Sequence, residues 1–228
     1  MARYITPMNA EFLFDYFAIC FYIGSSALVL ASWSCPYLNR IFTNGKHVTA
    51  TNGSVWVSKS KFLHIYMWGF VTNLIVYITT DYSYYSTPLA RILIALHTMR
   101  RAAEIIISSK RPYSKMNLLA YLYGLAFYTI LPLVTYEGTT AHWYISVIAF
   151  SLASLLQCIV HVSLGRKRAY DKNVGIIFRY ANHIAELVIF ICIYLISPSV
   201  PSFLMTVYVF FCMSKLIYLN YKWYPKKK

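Results

Sequence analysis

Apolar stretches long enough to cross a lipid bilayer recur along this 228-residue chain, and they limit its fold more than any other feature. A helix needs about 20 consecutive apolar residues to cross the hydrocarbon core. Hydrophobic residues make up 59% of the chain and charged residues 12%, whereas soluble domains have about 45–50% and about 25%. We therefore expect an all-α, polytopic integral membrane protein whose single transmembrane domain covers 1–228. The predicted spans are 12–31, 62–80, 86–107, 116–135, 143–164, 183–197 and 200–222.

The first and the sixth stretches each admit a second interpretation. Pro198 and Pro201 separate the sixth stretch from the seventh, and because proline breaks helices, these two stretches form either two full spans or a re-entrant pair. The number of spans then lies between six and eight. The first stretch is long for a signal peptide, its flank carries Glu11 and Asp15, and no small-residue cleavage site follows it. We interpret it as a retained helix.

Basic residues are confined to alternate loops. Most of the 21 Lys and Arg residues lie after the first, third, fifth and seventh stretches, whereas the loops 81–86, 136–142 and 197–201 contain none. Cytoplasmic loops of membrane proteins are enriched in Lys and Arg. The alternation therefore favours seven spans, with a lumenal or extracellular N-terminus and a cytoplasmic C-terminus. It also leaves the Asn-Gly-Ser sequon at 52–54 on the cytoplasmic side, where it should stay unmodified.

The rest of the composition excludes several classes of protein. The five cysteines are dispersed without a CxxC pair, so they indicate neither a disulfide framework nor a metal site. The eight glycines form neither a GxGxxG nor a GxxxxGK[ST] pattern, which excludes a Rossmann or P-loop domain. Positive charge in short loops beside the membrane indicates contact with membrane lipids and disfavours nucleic-acid binding.

Polar and ionisable residues form three groups near the cytoplasmic ends of the predicted spans. Such residues are costly at membrane depth and are often functional. A structural interpretation exists for each group, as an ion pair or an interhelical hydrogen bond, but three groups on one side favour a shared cavity. Because arginine binds phosphate, that cavity would suit a phosphorylated cofactor or a lipid headgroup. The groups are His97, Arg100, Arg101 and Glu104; Gln157, His161 and Arg168; and Asn182, His183 and Glu186.

At these residues the chain resembles the membrane-embedded steroid 5α-reductases, and most closely their polyprenol reductase branch. The segment 57–66 (VSKSKFLHIY) is similar to that branch's V-P-K-x-x-F-x-H-F-Y, and 96–104 (LHTMRRAAE) is similar to its L-H-S-x-R-R-x-x-E. The segments 157–168 (QCIVHVSLGRKR) and 182–187 (NHIAEL) resemble Q-x-x-x-H-x-x-L-G-x-L-R and N-Y-x-A-E-L. The resemblance covers most of the chain after Val57, with the family's reductase half at approximately 96–228.

This resemblance implies a seven-helix reductase of the endoplasmic reticulum membrane that binds NADPH from the cytoplasmic side. Its substrate would be a long-chain polyprenyl lipid, reduced at the α-isoprene double bond to make dolichol for protein N-glycosylation. In steroid-reducing members a glutamate and a tyrosine grip the substrate carbonyl, and the matching positions here are His64 and Thr98, which disfavours a steroid. His97 is then the predicted group that polarises or protonates the substrate. The predicted cofactor-binding residues are Arg100, Arg101, Gln157, His161, Arg168, Asn182 and Glu186.

The chemistry of the reduction favours polyprenal over polyprenol as the immediate substrate. Hydride addition to an isolated alkene leaves a carbanion that nothing stabilises. In a conjugated aldehyde the same addition gives an enolate, whose oxyanion a histidine can stabilise before a proton reaches the α-carbon.

Two departures from the family pattern keep other functions open. The family's I-P-x-G-G-L-F-x-Y between the fifth and sixth spans is shortened to NVGIIFRY at 173–180. Where the family has an Arg and a His near its C-terminus, this chain has Lys215, Asn220 and Tyr221. The alternatives are a reductase of another enone or enoyl lipid, such as a steroid or an enoyl-CoA, and a non-catalytic lipid-binding membrane protein. An isoprenylcysteine methyltransferase would need a C-terminal Arg/Glu motif that we do not find.

Overall fold

A computed structural model of the chain describes residues 8–42, 55–58, 61–79, 88–108, 115–135, 143–166 and 172–223. Within these residues the fold is helical, with one small two-stranded sheet. Among the described residues, each predicted apolar stretch overlaps one helix. The elements are α1 (Met8–Ser34), α2 (Pro36–Phe42), β1 (Trp56–Ser58), α3 (Lys61–Thr79), α4 (Leu89–Ser108), β2 (Lys115–Asn117), α5 (Leu118–Val134), α6 (Trp143–Arg166), α7 (Lys172–Ile196) and α8 (Val200–Trp223).

Four of these helices are long and apolar enough to cross a membrane: α1, α3, α6 and α8. The helix α5 and the apolar part of α7 (Tyr180–Ile196) are shorter, and α4 is interrupted by charged residues. Large apolar side chains also point outward from the bundle, as at Ile78, which is 71% exposed. A helix that is apolar on both its inner and outer faces is typical of a lipid environment. The prediction of an all-α membrane protein is therefore confirmed in this general form.

The helix α7 is longer than the sequence pattern predicts. The apolar stretch begins at 183, whereas the helix begins at Lys172 and includes the polar segment between them. Hydropathy identifies only the part of a helix that suits the hydrocarbon core, so it misses a polar first half. Pro201 is the second residue of α8, where a proline costs no intrahelical hydrogen bond.

The small sheet is a feature that the sequence analysis did not predict. The two strands pair antiparallel, with Val57 opposite Met116. Strands of three residues are too short to show a recognisable alternation of polar and apolar residues. Directly after β2, the Asn117 side chain accepts a hydrogen bond of 2.8 Å from the backbone N–H of Leu119 and caps α5. The sheet therefore joins the segment before α3 to the start of α5.

The helices pack in a few extensive pairs, and α4 connects them. The main contacts join α3 to α4 and α5, α6 to α7, and α8 to α1 and α7. Because α4 also contacts α6 and α7, its buried face meets three other helices. The adjoining core is aromatic: the ring of Phe127 lies 6.1 Å from Tyr22, 5.7 Å from Tyr208 and 5.8 Å from Phe190 between centroids.

Candidate functional site

A group of polar side chains, here called the polar cluster, lies where α4 meets α3, α6 and α7. The cluster combines residues from all three predicted groups of polar residues with one tyrosine, and it lies inside the bundle beside the aromatic core. Its members are Tyr66 from α3; His97, Arg100, Arg101 and Glu104 from α4; Gln157 and His161 from α6; and Glu186 from α7.

The spacing on α4 brings both arginines to one carboxylate. Glu104 follows Arg100 by four residues and Arg101 by three, which places all three on neighbouring positions of the helix surface. Arg100 Nη1 donates to Glu104 Oε1, and Arg101 Nη1 donates to Oε2 at 2.6 Å. Glu104 is buried. Two guanidinium groups are therefore held by a single buried carboxylate within one helix.

Gln157 joins this pair to α7. Its side-chain oxygen accepts a hydrogen bond from Arg100 Nη2, while its Nε2 donates to Glu186 Oε2 at 2.5 Å and to the backbone oxygen of Asn182 at 3.0 Å. Gln157 is completely buried. Because the amide oxygen and the amide nitrogen each have a partner, the hydrogen bonds identify which atom is the oxygen and which is the nitrogen.

His97 lies between Arg100 and Glu186. Its Nδ1 is 3.2 Å from Arg100 Nη2, and because a guanidinium only donates, this nitrogen accepts and the ring proton is assigned to Nε2. That Nε2 lies 3.4 Å from Glu186 Oε1. The predicted catalytic histidine is thus buried inside the cluster, and its Nε2 has no hydrogen-bond partner among the described residues.

His161 contacts the other arginine of the cluster. Its Nε2 is 2.8 Å from Arg101 Nη1 and 3.4 Å from Glu104 Oε2. Gln157 and His161 were predicted to share a face of one helix, and both contact arginines of α4. Arg101 also approaches Glu186, with 3.9 Å between its Nε and Oε2.

Tyr66 is the member that the sequence analysis did not single out. Its hydroxyl oxygen lies 3.3 Å from Arg101 Nε and 3.2 Å from Arg101 Nη2. The Arg101 guanidinium carbon is 5.3 Å from the Tyr66 ring centroid, and the ring packs edge-on against Tyr128. A chain with 22 tyrosines favours an interfacial aromatic belt. The only local signal was the place of Tyr66 at the end of the segment 57–66.

Three of the predicted site residues that the structure describes do not bring a side chain to the cluster. His64 is exposed on the first turn of α3. Thr98 is buried, but its hydroxyl donates to the backbone oxygen of Ile94, 2.9 Å away on its own helix. Asn182 contributes its backbone oxygen, and Arg168 lies outside the described residues. The catalytic and cofactor-binding roles of these residues stay predictions.

The formal charges within the cluster balance when the histidines are neutral. Arg100 and Arg101 carry two positive charges, and Glu104 and Glu186 carry two negative charges. Buried charges are tolerated when they are paired and hydrogen-bonded, and each of these four groups contacts an opposite charge or a polar partner. The cluster is therefore compatible with burial in the absence of any ligand.

Three buried polar atoms in or beside the cluster have no hydrogen-bond partner among the residues that the structure describes. They are the side-chain oxygen of Asn182, the Nε of Arg100 and the Nε2 of His97. Buried polar atoms without partners are costly. The first is an acceptor and the other two are donors, so together they could satisfy a ligand that carries both kinds of group.

An apolar groove follows the seam between α3 and α4. Its volume is about 190 Å³, and it is lined by apolar side chains that include Phe70, Leu74, Ala95 and Leu96. On α3, Phe70 lies one helical turn beyond Tyr66, and on α4, Leu96 directly precedes His97. One end of the groove thus lies within one turn of the polar cluster.

The fold and the polar cluster together define an all-α membrane protein with a buried, charge-balanced site between its helices. No protein-family model matches the chain, and no curated protein sequence matches it.

Proposed function

We propose that this chain is an NADPH-dependent reductase of the endoplasmic reticulum membrane that reduces the α-isoprene double bond of polyprenal, in dolichol synthesis for protein N-glycosylation. The single observation that supports this most is the polar cluster itself. Residues that the family resemblance marks on separate segments, among them Arg100, Gln157 and Glu186, lie in direct contact although they come from three different helices.

The residues present fit the cofactor in their chemistry. NADPH carries phosphates and a carboxamide, which require cationic donors as well as a donor and an acceptor of ordinary hydrogen bonds. Arg100 and Arg101 supply the positive charge, and a phosphate would compete with Glu104 for their donors. The buried Asn182 oxygen and the Arg100 Nε supply an unused acceptor and an unused donor. In this proposal the arginines and His161 would hold the phosphates, and Asn182 and Gln157 would hold the amide-bearing end.

The bound cofactor supplies a hydride for the β-carbon of the conjugated aldehyde. The chain holds the arginines in place through Glu104 and keeps water out through the burial of Gln157 and Glu186. His97 polarises the substrate carbonyl. Its Nε2 lies 3.4 Å from Glu186 Oε1 and has no hydrogen-bond partner among the described residues, so its proton is available to a substrate carbonyl oxygen.

A direct assay tests this function. Membranes that contain the protein are incubated with polyprenal and NADPH, and mass spectrometry measures the gain of two hydrogens in the α-isoprene unit. We expect product with NADPH and none without it. Absence of product with polyprenal, polyprenol, an enone steroid and an enoyl thioester, while a known polyprenal reductase works in parallel, would show that the proposal is wrong.

Two arginine substitutions, one inside the cluster and one outside it, test the cofactor site separately through their effect on NADPH affinity. We expect Arg100→Lys to weaken NADPH binding about tenfold, because one charge-assisted hydrogen bond contributes about 1.5–3 kcal/mol. Arg91 is a matched control for cofactor binding, since it is buried on the same helix and lines the apolar groove instead of belonging to the cluster. Arg91→Lys should leave the NADPH affinity near that of the wild type.

The charge balance of the cluster favours a second candidate function. Glu104 already accepts from both Arg100 and Arg101, as in a purely structural ion network between membrane helices. A non-catalytic lipid-binding protein that retains the fold would show this arrangement as well. Titration of the purified protein with NADPH separates the candidates, because only the reductase binds the cofactor.

A further inference from the structure

Conjugate reduction of an enal needs a second proton donor besides the group on the carbonyl. If His97 holds the oxyanion, another group must deliver a proton to the α-carbon. The remaining predicted catalytic residues are poorly placed for this, because His64 is exposed and the Thr98 hydroxyl donates to its own helix. This inference rests on the proposed function, and it concerns the side chain that donates a proton to the α-carbon.

Tyr66 has the required chemistry and position. It is 7% exposed, and its oxygen accepts from Arg101 Nε and Nη2 at 3.3 and 3.2 Å. A phenol has one donor and two acceptor sites, so contacts with a guanidinium occupy the acceptor side of the hydroxyl and leave its proton to be donated elsewhere. A cation at this distance also stabilises the tyrosinate that remains after the proton leaves.

The apolar groove runs along the face of α3 that carries Tyr66. Phe70 and Asn73 line the groove and follow Tyr66 by four and seven residues, so the three residues lie on one face of α3. A hydrocarbon chain in this seam would therefore approach Tyr66 from the side of Phe70.

We propose that Tyr66 is the proton donor to the α-carbon of the reduced lipid. The bound cofactor would supply the hydride for the new C–H bond at the β-carbon, and the electron pair of the double bond would move into the enolate that His97 stabilises. The Tyr66 O–H bond then breaks, the enolate gains its α-carbon proton, and the saturated aldehyde leaves a tyrosinate beside Arg101. Water restores the proton after the product departs, so that one hydride and one proton are consumed in each cycle.

The test follows both the rate and the face of proton delivery. Wild type, Tyr66→Phe and Tyr208→Phe are assayed in D₂O with farnesal and NADPH, and the product is reduced at once with borohydride to prevent exchange at the α-carbon. Tyr208 is the matched control, since it is 8% exposed and belongs to the aromatic core. We expect deuterium on a single face in the wild type and in Tyr208→Phe. For Tyr66→Phe we expect turnover to fall about 10²-fold, deuterium on both faces of the residual product, and unchanged NADPH affinity.

A second variant keeps the ring and its contacts. Replacing Tyr66 with a fluorotyrosine preserves the hydroxyl but makes it more acidic, and we expect the alkaline limb of the pH–rate profile to move to lower pH. This variant serves even if Tyr66→Phe fails to fold. Single-face deuteration and normal turnover in Tyr66→Phe, or an unmoved profile in the fluorotyrosine protein, would overturn the donor role while leaving the reductase function intact. A wild type that reduces no enal would instead overturn the proposed function, and this inference with it.

Discussion

Gln157 on α6 donates a hydrogen bond of 2.5 Å to Glu186 on α7, while its side-chain oxygen accepts one from Arg100 on α4. An amide can make both contacts because it carries an acceptor and a donor at the same end of the side chain. A carboxylate cannot donate to Glu186, and an aliphatic side chain can form neither bond. Gln157 therefore ties three helices together through one side chain.

We expect Gln157→Leu to lower the free energy of unfolding by about 3 kcal/mol, because two buried charged groups each lose a hydrogen bond. Ser151 provides the control on the same helix. It is exposed and donates only to the backbone oxygen of Val147, so Ser151→Ala should change stability little. Thermal unfolding of the purified proteins in detergent measures both effects, and equal shifts for the two variants would contradict the bridging role of Gln157.

Two glycines differ in what an added methyl group would meet. A β-carbon on Gly69 would lie 2.8 Å from Cδ1 of Tyr128 and 3.0 Å from its Cβ, whereas nothing lies within 4 Å of a β-carbon on Gly24. The clash at Gly69 involves the base of a packed ring, which cannot move aside without displacing α5. We expect Gly69→Ala to destabilise the protein by about 1–3 kcal/mol.

The same substitution at Gly24 should be neutral or slightly stabilising, because alanine is the better helix former. Gly124→Ala should fall between them, since its β-carbon would meet the flexible end of Ile65 at 2.8 Å. Midpoints of thermal unfolding in one detergent give the order. If Gly69→Ala unfolds at the same temperature as Gly24→Ala, the close packing of α3 on α5 is not as described.

Helical spacing predicted correctly which polar residues share a face within one helix. Arg101 and Glu104 on α4 are in contact, and Gln157 and His161 on α6 both reach the arginines. Which residues share a face of one helix depends only on their spacing relative to the 3.6-residue helical period, and that spacing can be read from the sequence.

Contacts between helices could not be predicted in the same way. That α3 lies beside the arginines, and so brings Tyr66 to Arg101, depends on how the bundle packs, which hydropathy does not encode. Thr98 shows that closeness in the sequence does not guarantee a place in the cluster. It is adjacent to His97 in the sequence, yet one step along a helix turns a side chain by about 100°, and its hydroxyl donates to its own backbone.

The predicted orientation is tested by glycosylation. We expect an acceptor peptide fused through a flexible linker to the N-terminus to be glycosylated in microsomes, and the same peptide at the C-terminus to stay unmodified, because basic loops remain cytoplasmic. The natural sequon at Asn52 should also stay unmodified. A mobility shift that endoglycosidase removes is the readout. Modification of the C-terminal fusion together with Asn52 would reverse the proposed orientation.

The apolar groove between α3 and α4 predicts a dependence on the length of the substrate. Ala95 lines this groove, and Ala95→Phe would fill part of its volume of about 190 Å³. If two methylene groups of a bound chain are displaced, at about 0.8 kcal/mol each, kcat/KM for polyprenal should fall about tenfold. A short enal that does not reach the groove should be reduced as before.

Ala103 gives the matched control, because it is exposed on the same helix and does not line the groove. Ala103→Phe adds the same ring to an exposed surface of the helix, and we expect kcat/KM for both substrates to stay near the wild-type values. Competition between polyprenal and the short enal in a single reaction measures the ratio of the two kcat/KM values free of differences in protein amount. A filled groove must discriminate between chains that occupy it and chains that do not. If Ala95→Phe leaves the ratio of the two kcat/KM values unchanged, the lipid chain does not lie along this seam.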